Sequence, residues 1–130
     1  MSGTQAHRKL GINPAEPVVV RGYPGSYPEL FDSGVELQVT DVLAPEAAFI
    51  HYFATREADL DADIPVLKDH LAKTGALWVS WPKKTSGVST DLDGNRVRAI
   101  GLATGLVDIK VAAVDETWSG LKFMWRRSDR

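Results

Sequence analysis

Cysteine is absent from the 130 residues, which excludes a disulfide framework and any thiolate metal site. The three histidines, His7, His51 and His70, fall on an arm, a strand and a helix with nothing paired at metal-ligand spacing. Surface or satisfied-core roles are expected for them, and no metal site. No segment approaches the run of about twenty apolar residues that spans a bilayer. The first ten residues lack the apolar stretch of a secretory signal, so the expected location is cytoplasmic. A basic excess is missing as well. The formal net charge of −2 gives no reason to expect a nucleic acid or a membrane as partner, and the closing Arg126-Arg127-Ser128-Asp129-Arg130 reads as a solvated terminus.

Complete catalytic signatures are missing too. No Gly-x-Ser-x-Gly elbow occurs, which leaves a dispersed Ser-His-Asp arrangement as the one form of that triad open to the sequence. Ser80 and Lys83 have Ser-x-x-Lys spacing, but that chemistry needs both on one helical turn, which Pro82 and the strand pattern deny. Lys83-Lys84-Thr85 is like the end of a phosphate-binding P-loop, with Trp and Pro where glycines belong. Asp91-Leu92-Asp93-Gly94-Asn95 opens like a calcium loop, yet Arg96 and Leu102 stand at the required Gly and Glu. Asp59, Asp61 and Asp63 fail in the same way, with Ile64 and His70 in those places, and read as helix N-terminal charges. No catalytic residue is assigned.

What is present is an alternation of strands and helices. Residues 1–14 read as a flexible N-terminal arm and residues 15–130 as a single α/β domain. Val18-Val19-Val20 is a buried strand, broken by Gly22, Pro24, Gly25 and Pro28, with room for a short helix around Glu29 to Phe31. Residues 35–40 alternate as a strand with one wet face, and Ala48 to Phe53 is a more buried one. Leu60, Ile64, Leu67 and Leu71 then keep helical spacing across Pro65, as one kinked helix or two short ones, with Gly75 closing the segment. Leu77 to Trp81 is a strand. Val97, Ile100 and Ala103 mark a helix from about Asp93, ended by Gly105. Val107 to Val114 and Leu121 to Arg126 close the chain as a hairpin. The fold class expected is α/β: a small three-layer Rossmann-like domain, its mixed, mostly parallel sheet of about six strands closed by an antiparallel C-terminal hairpin.

The turn from Trp78 to Asp91 is the main site candidate. A loop after a parallel strand sits at the C-terminal edge of the sheet, where α/β proteins bind ligands. Lys83 and Lys84 offer charge to a phosphate or carboxylate, and Thr85, Ser86, Ser89 and Thr90 offer hydroxyls. In the alternative reading the lysines are solvated, the hydroxyls close turns, and Thr90 or Asp91 caps the following helix. Asp115, Glu116 and Trp118, in the segment 115–120, fall at the same edge. The carboxylates either pair with the lysines as an ionic latch or form with them a pocket walled by Trp118. Trp78 and Trp81 point to opposite faces of their strand.

Two resemblances are carried by these residues. Gly75-Ala76-Leu77-Trp78-Val79-Ser80-Trp81-Pro82-Lys83-Lys84-Thr85-Ser86-Gly87-Val88, with Gly105-Leu106-Val107-Asp108 and the run from Ala113 to Leu121, resembles the bacterial domain-of-unknown-function family 3052. That family implies no activity. The order of elements is similar, more loosely, to the C-terminal half of class I methyltransferases, which use S-adenosylmethionine. This similarity implies a sheet order of 2-1-3-4-6-5 with strand six antiparallel. In place of those enzymes' glycine-rich loop stands Arg21-Gly22-Tyr23-Pro24-Gly25-Ser26-Tyr27-Pro28, a bulky loop with few free donors, and Asp41 alone stands in for the ribose-binding acid. S-adenosylmethionine is therefore not expected as a cofactor.

The function expected first is a non-catalytic binding or regulatory domain, with a small anionic ligand or a protein partner at the C-terminal sheet edge. A degenerate S-adenosylmethionine-dependent methyltransferase-like enzyme is the alternative. A third reading is a protein-interaction module, self-association included, with Tyr23 and Tyr27 on its surface.

Overall fold

The computed structural model describes residues 10–30 and 36–130. Among these residues six strands and two helices follow one another as β1 (Val18–Arg21), β2 (Val39–Thr40), β3 (Ala47–Phe53), α1 (Glu57–His70), β4 (Leu71–Pro82), α2 (Gly94–Ala103), β5 (Leu106–Ala113) and β6 (Trp118–Trp125). Single 3₁₀ turns lie at Tyr27–Leu30, Lys84–Ser86 and Arg127–Asp129. The strands form one sheet in the order β2-β1-β3-β4-β6-β5. β1 pairs in parallel with β2 and β3, and β3 with β4, while β6 runs antiparallel to both of its neighbours. This is the order, with the one reversed strand, that the methyltransferase resemblance implies. No described helix is long and apolar enough to cross a membrane.

Period-two alternation sorts the strand side chains between two cores. On the first face Val19, Ile50, Tyr52, Leu77, Val79 and Phe123 pack against both helices, through Leu60, Ile64 and Leu67 of α1 and Val97 of α2. On the second face Val18, Val20, Phe49, Phe53, Trp78 and Trp118 lie beneath Leu10, Ile12 and Tyr27. Trp78 Nε1 donates to the Leu10 carbonyl at 2.8 Å, which ties residues just before the boundary read at 15 to the centre of the sheet. Trp78 and Trp81 take opposite faces and are both buried.

Several elements differ in extent from their expected form. α1 is one helix through Pro65, which is exposed, so the amide it lacks costs a bond on the solvent side only. Gly75 does not close the helical segment but lies inside β4. There β3 and β4 shift register between Ala47 and Phe49, and a Cβ on Gly75 would sit 2.8 Å from the Ala47 carbonyl oxygen. β4 also continues through Pro82, which pairs with Trp118. β2 shrinks to Val39–Thr40 because it is an edge strand with β1 alone beside it. The turn near Glu29 is a 3₁₀ turn, and Phe31 and Val35 lie outside the described residues. The hairpin turn is tighter than the 115–120 segment, since Trp118, Ser119 and Gly120 already belong to β6. At the opposite edge β5 carries a bulge: Asp108 and Lys110 face the consecutive residues Phe123 and Lys122, leaving Ile109 as an extra residue.

α2 starts at an Asp93 cap, whose Oδ1 accepts from Arg96 N at 2.8 Å, and ends before Gly105, at φ +95°. Its C-terminal half touches the sheet through Gly101, where a Cβ would lie 2.2 Å from Phe123 Cε1. That ring is fully buried, so it has nowhere to move.

Two polar side chains interrupt the second core. His51 and Ser80 are both completely buried, on the same face of adjacent strands. Tyr27 Oη lies 2.7 Å from His51 Nδ1, and Ser80 Oγ lies 2.7 Å from Nε2. The imidazole stacks on Phe53 at 4.2 Å between centroids. Burial lowers the His51 pKa from 6.5 to about 3, so the ring is neutral, with one nitrogen donating and the other accepting. Burial likewise raises the Tyr27 phenol far above its ordinary range and keeps it protonated.

Two stability predictions follow from these contacts. Gly101→Ala should lower stability by about 2 kcal/mol despite alanine's better helix propensity, read as a fall in the urea midpoint. Between pH 6.5 and about 3 the unfolded chain binds a proton on His51 that the folded one does not. The stability this group contributes is therefore complete above pH 6.5 and is lost as the pH falls, at about 1.4 kcal/mol per pH unit. His51→Gln should be less stable at pH 7 and show a shallower acid dependence across that window. Equal slopes for the two proteins would contradict the assignment.

Candidate functional site

The C-terminal ends of β1, β3 and β4 share one edge of the sheet with the β5–β6 turn. Geometry there is set by Gly22, which leaves β1 at φ +88° and passes so close to β3 that a Cβ would lie 2.4 Å from the Phe53 carbonyl oxygen. Only glycine fits both conditions. The chain rises from this point, and the Tyr23 ring packs on Phe53 at 4.8 Å and on Tyr27 at 6.1 Å. The loop stands as a partition with a cleft on either side. The first, about 620 Å³, lies toward β2 and is lined by Tyr27, Pro28, Val39, Thr40 and Asp41 beside the loop. The second, about 530 Å³, lies toward the β5–β6 turn and is lined by Pro24, Thr55, Val88, Asp115 and Trp118. Tyr23 borders both. Both volumes fall within the range of roughly 300–1,000 Å³ typical of small-molecule sites.

The lysine loop and the hairpin turn do meet, through backbone acceptors. Lys83 N donates to the Thr117 carbonyl at 2.8 Å, and Lys83 Nζ to the Asp115 carbonyl at 2.7 Å. The Asp115 carboxylate is engaged by its own turn, Oδ1 accepting from Thr117 N at 2.8 Å and Trp118 N at 2.7 Å. Lys84, Thr85 and Glu116 are exposed. Among the described residues, ion pairs join Arg96 to Glu57, Arg98 to Asp108 and Arg126 to Asp129, and none joins these lysines to the hairpin carboxylates.

The hydroxyls of the loop mostly close it. Ser86 Oγ donates to the Lys83 carbonyl at 2.6 Å and accepts from Val88 N at 3.1 Å. Thr90 Oγ1 donates to the Thr55 carbonyl at 2.6 Å, stitching this loop to the end of β3. Asp91 caps α1 rather than α2, its Oδ1 accepting from Glu57 N at 2.7 Å. Ser89 is exposed beside a smaller hollow of about 270 Å³ that it shares with Arg56 and Asp91. Trp118 is buried, edge-on to Phe53 at 5.1 Å.

Two features of this edge were not assigned from sequence. The first is the partition itself, whose signal is Gly22 directly after a β-branched strand. The second is the Tyr27–His51–Ser80 chain, which fixes one wall of the first cleft from below; its signal is two polar residues at inward positions of adjacent strands. Of the two tyrosines expected on an exposed aromatic surface, Tyr27 is buried and Tyr23 half-buried, its phenol pKa raised by burial and by the neighbouring Asp115 carboxylate. Among the described residues, no group of three or more His, Cys, Asp or Glu side chains is placed to hold a metal ion.

No family model matches the chain, and neither does any curated protein. Solved structures do match. A SAM-dependent methyltransferase from Aquifex aeolicus superposes with a TM-score of 0.64 and 12% identity over 92% of this chain and 87% of that one. The ribosomal protein L11 methylase from Lactobacillus delbrueckii subsp. bulgaricus gives 0.61 and 10%, over 96% and 77%. The magnesium protoporphyrin IX methyltransferase from Synechocystis PCC 6803 with bound SAM gives 0.53 and 12%, over 76% of this chain and 50% of that one, so the match spans about half of that enzyme's length. The expectation against S-adenosylmethionine is thereby corrected. Structures that share this fold include a SAM-dependent methyltransferase and a methyltransferase with SAM bound. The physical reason is visible at Gly22: the bulky loop stands between two clefts and does not fill the edge. At the level of fold, the methyltransferase-like alternative is better supported than the non-catalytic reading. This chain has the Rossmann-like fold of class I S-adenosylmethionine-dependent methyltransferases.

Proposed function

We propose that the protein is a degenerate S-adenosylmethionine-dependent methyltransferase-like domain, with the cofactor held in the first cleft. The observation that carries this reading is the position of that cleft at the C-terminal ends of β1 and β2. It lies beside β1, from which the strand order runs to β2 on one side and β3 on the other. Open α/β sheets bind their ligands at such a switch point. The lining residues fit an adenosyl group. Asp41 follows β2 with an exposed carboxylate that accepts from ribose hydroxyls. Tyr27, Pro28 and Val39 give the cleft flat or apolar surface for a base. Gly22 and Gly25 leave the loop backbone bare on that side. When bound, S-adenosylmethionine supplies an electrophilic methyl group on its sulfonium; the chain's part is to bind and orient it. Because Pro24 and Pro28 have no amide hydrogen, the loop offers fewer donors than a glycine-rich one.

The expected outcome is saturable binding of both S-adenosylmethionine and S-adenosylhomocysteine in isothermal titration calorimetry. Asp41→Asn should weaken both by about tenfold, the cost of a charge-assisted hydrogen bond, without moving the unfolding midpoint, since Asp41 is exposed. Absence of heat with either compound sinks the reading.

A further inference from the structure

We propose that the second cleft is a separate binding site for a small planar amine, an aromatic or otherwise flat apolar body bearing one protonated nitrogen. The walls argue for the body. Tyr23, Pro24, Val88 and Trp118 line the cleft, and Val88 leaves 42% of its surface exposed there, apolar area that a ligand would cover. At about 530 Å³ the space suits a ligand of one or two rings.

Charge argues for the amine. Among the described residues, Asp115 is the sole formally charged side chain lining this cleft. Its carboxylate is fixed in advance, because Oδ1 accepts from Thr117 N and Trp118 N within its own turn, so little ordering is left to be done on binding. Lys83, the cation expected to pair with it, donates its ammonium to the Asp115 backbone carbonyl at 2.7 Å, and among the described residues makes no ion pair with the carboxylate. Tyr23 stands beside the carboxylate with its phenol held neutral by burial and by that charge, and aromatic faces attract cations. The Asp115 carboxylate disfavours an anion within the cleft, and a neutral hydrocarbon would gain no charge-assisted bond. The ligand is therefore opposite in sign to the anion that Lys83 and Lys84 suggest from sequence.

The site does not depend on cofactor binding. Thr55, Val88, Asp115 and Trp118 line this cleft and not the first, while Thr40 and Asp41 line only the first. Tyramine and 4-hydroxyphenylacetate serve as probes, since they share a phenol ring and differ in the sign of the side-chain charge. In calorimetric titrations of the full chain, tyramine should bind and the acid should bind at least about tenfold more weakly. Asp115→Asn keeps a side-chain oxygen for the two turn amides and should weaken tyramine by about tenfold. Val88→Lys, at an exposed position, should turn the preference toward the acid. Asp41→Asn should leave tyramine unaffected, which separates failure here from failure of the cofactor reading. No tyramine binding, equal affinity for the two probes, or indifference of tyramine to both Asp115→Asn and Val88→Lys would each overturn the proposal.

Discussion

Everything in this fold is arranged around the double burial of β4. From Gly75 to Pro82 every residue is shielded from water, so both faces of one strand must be covered by something else. Leu77, Val79 and Trp81 draw α1 and α2 onto one side. Ala76 and Trp78 draw the segment at Leu10 and Ile12 onto the other. With roughly 1.5–3 kcal/mol for each large side chain fully buried, the strand outweighs any local preference in the loops that flank it. Its edges are committed as well, to β3 in parallel and to β6 in antiparallel. Where it stops, at Pro82, the covering layers part and the loops of the sheet edge take over.

The buried histidine links this core to the site. An imidazole in an apolar layer is tolerated because both nitrogens are satisfied, one accepting from one hydroxyl and the other donating to the second. Ser80 belongs to β4 and His51 to β3, so the chain of bonds carries the register of the sheet outward to Tyr27. A wall of the first cleft is thus held by the core beneath it. The second cleft is held by lateral ties, Thr90 to the end of β3 and Lys83 to the hairpin turn.

Much of this was legible in the sequence, for identifiable reasons. β-Branched runs and helical spacing marked the strands and helices, and the run from Asp93 to Gly105 carried both its caps in plain view. The extent of β4 was not legible, because Lys73-Thr74-Gly75 has the composition of a turn, and only the neighbouring carbonyls of Ala47 and Ala48 explain a glycine there. Topology was enough to bring the lysine loop and the hairpin together. It could not say which atoms would meet, since the Asp115 carboxylate took its own turn amides and left the Lys83 ammonium to the backbone carbonyl of the same residue. The expectation about the cofactor failed on the same kind of point. Prolines and tyrosines describe how bulky a loop is, whereas the positive φ at Gly22 decides where the bulk goes.

The bulge in β5 bears on how this protein behaves in a crowd. Among the described residues β5 is the longer of the two edge strands of the sheet, eight residues, with Ile109 and Val111 turned partly to water. A straight strand of that length would present an uninterrupted row of unpaired amides and carbonyls on which another chain could crystallise into fibril-like order. The extra residue at Ile109 breaks the spacing of that row, and Lys110 next to it places a charge where a second strand would have to lie. The irregularity thereby guards the solubility of the fold at its most vulnerable border, far from either cleft.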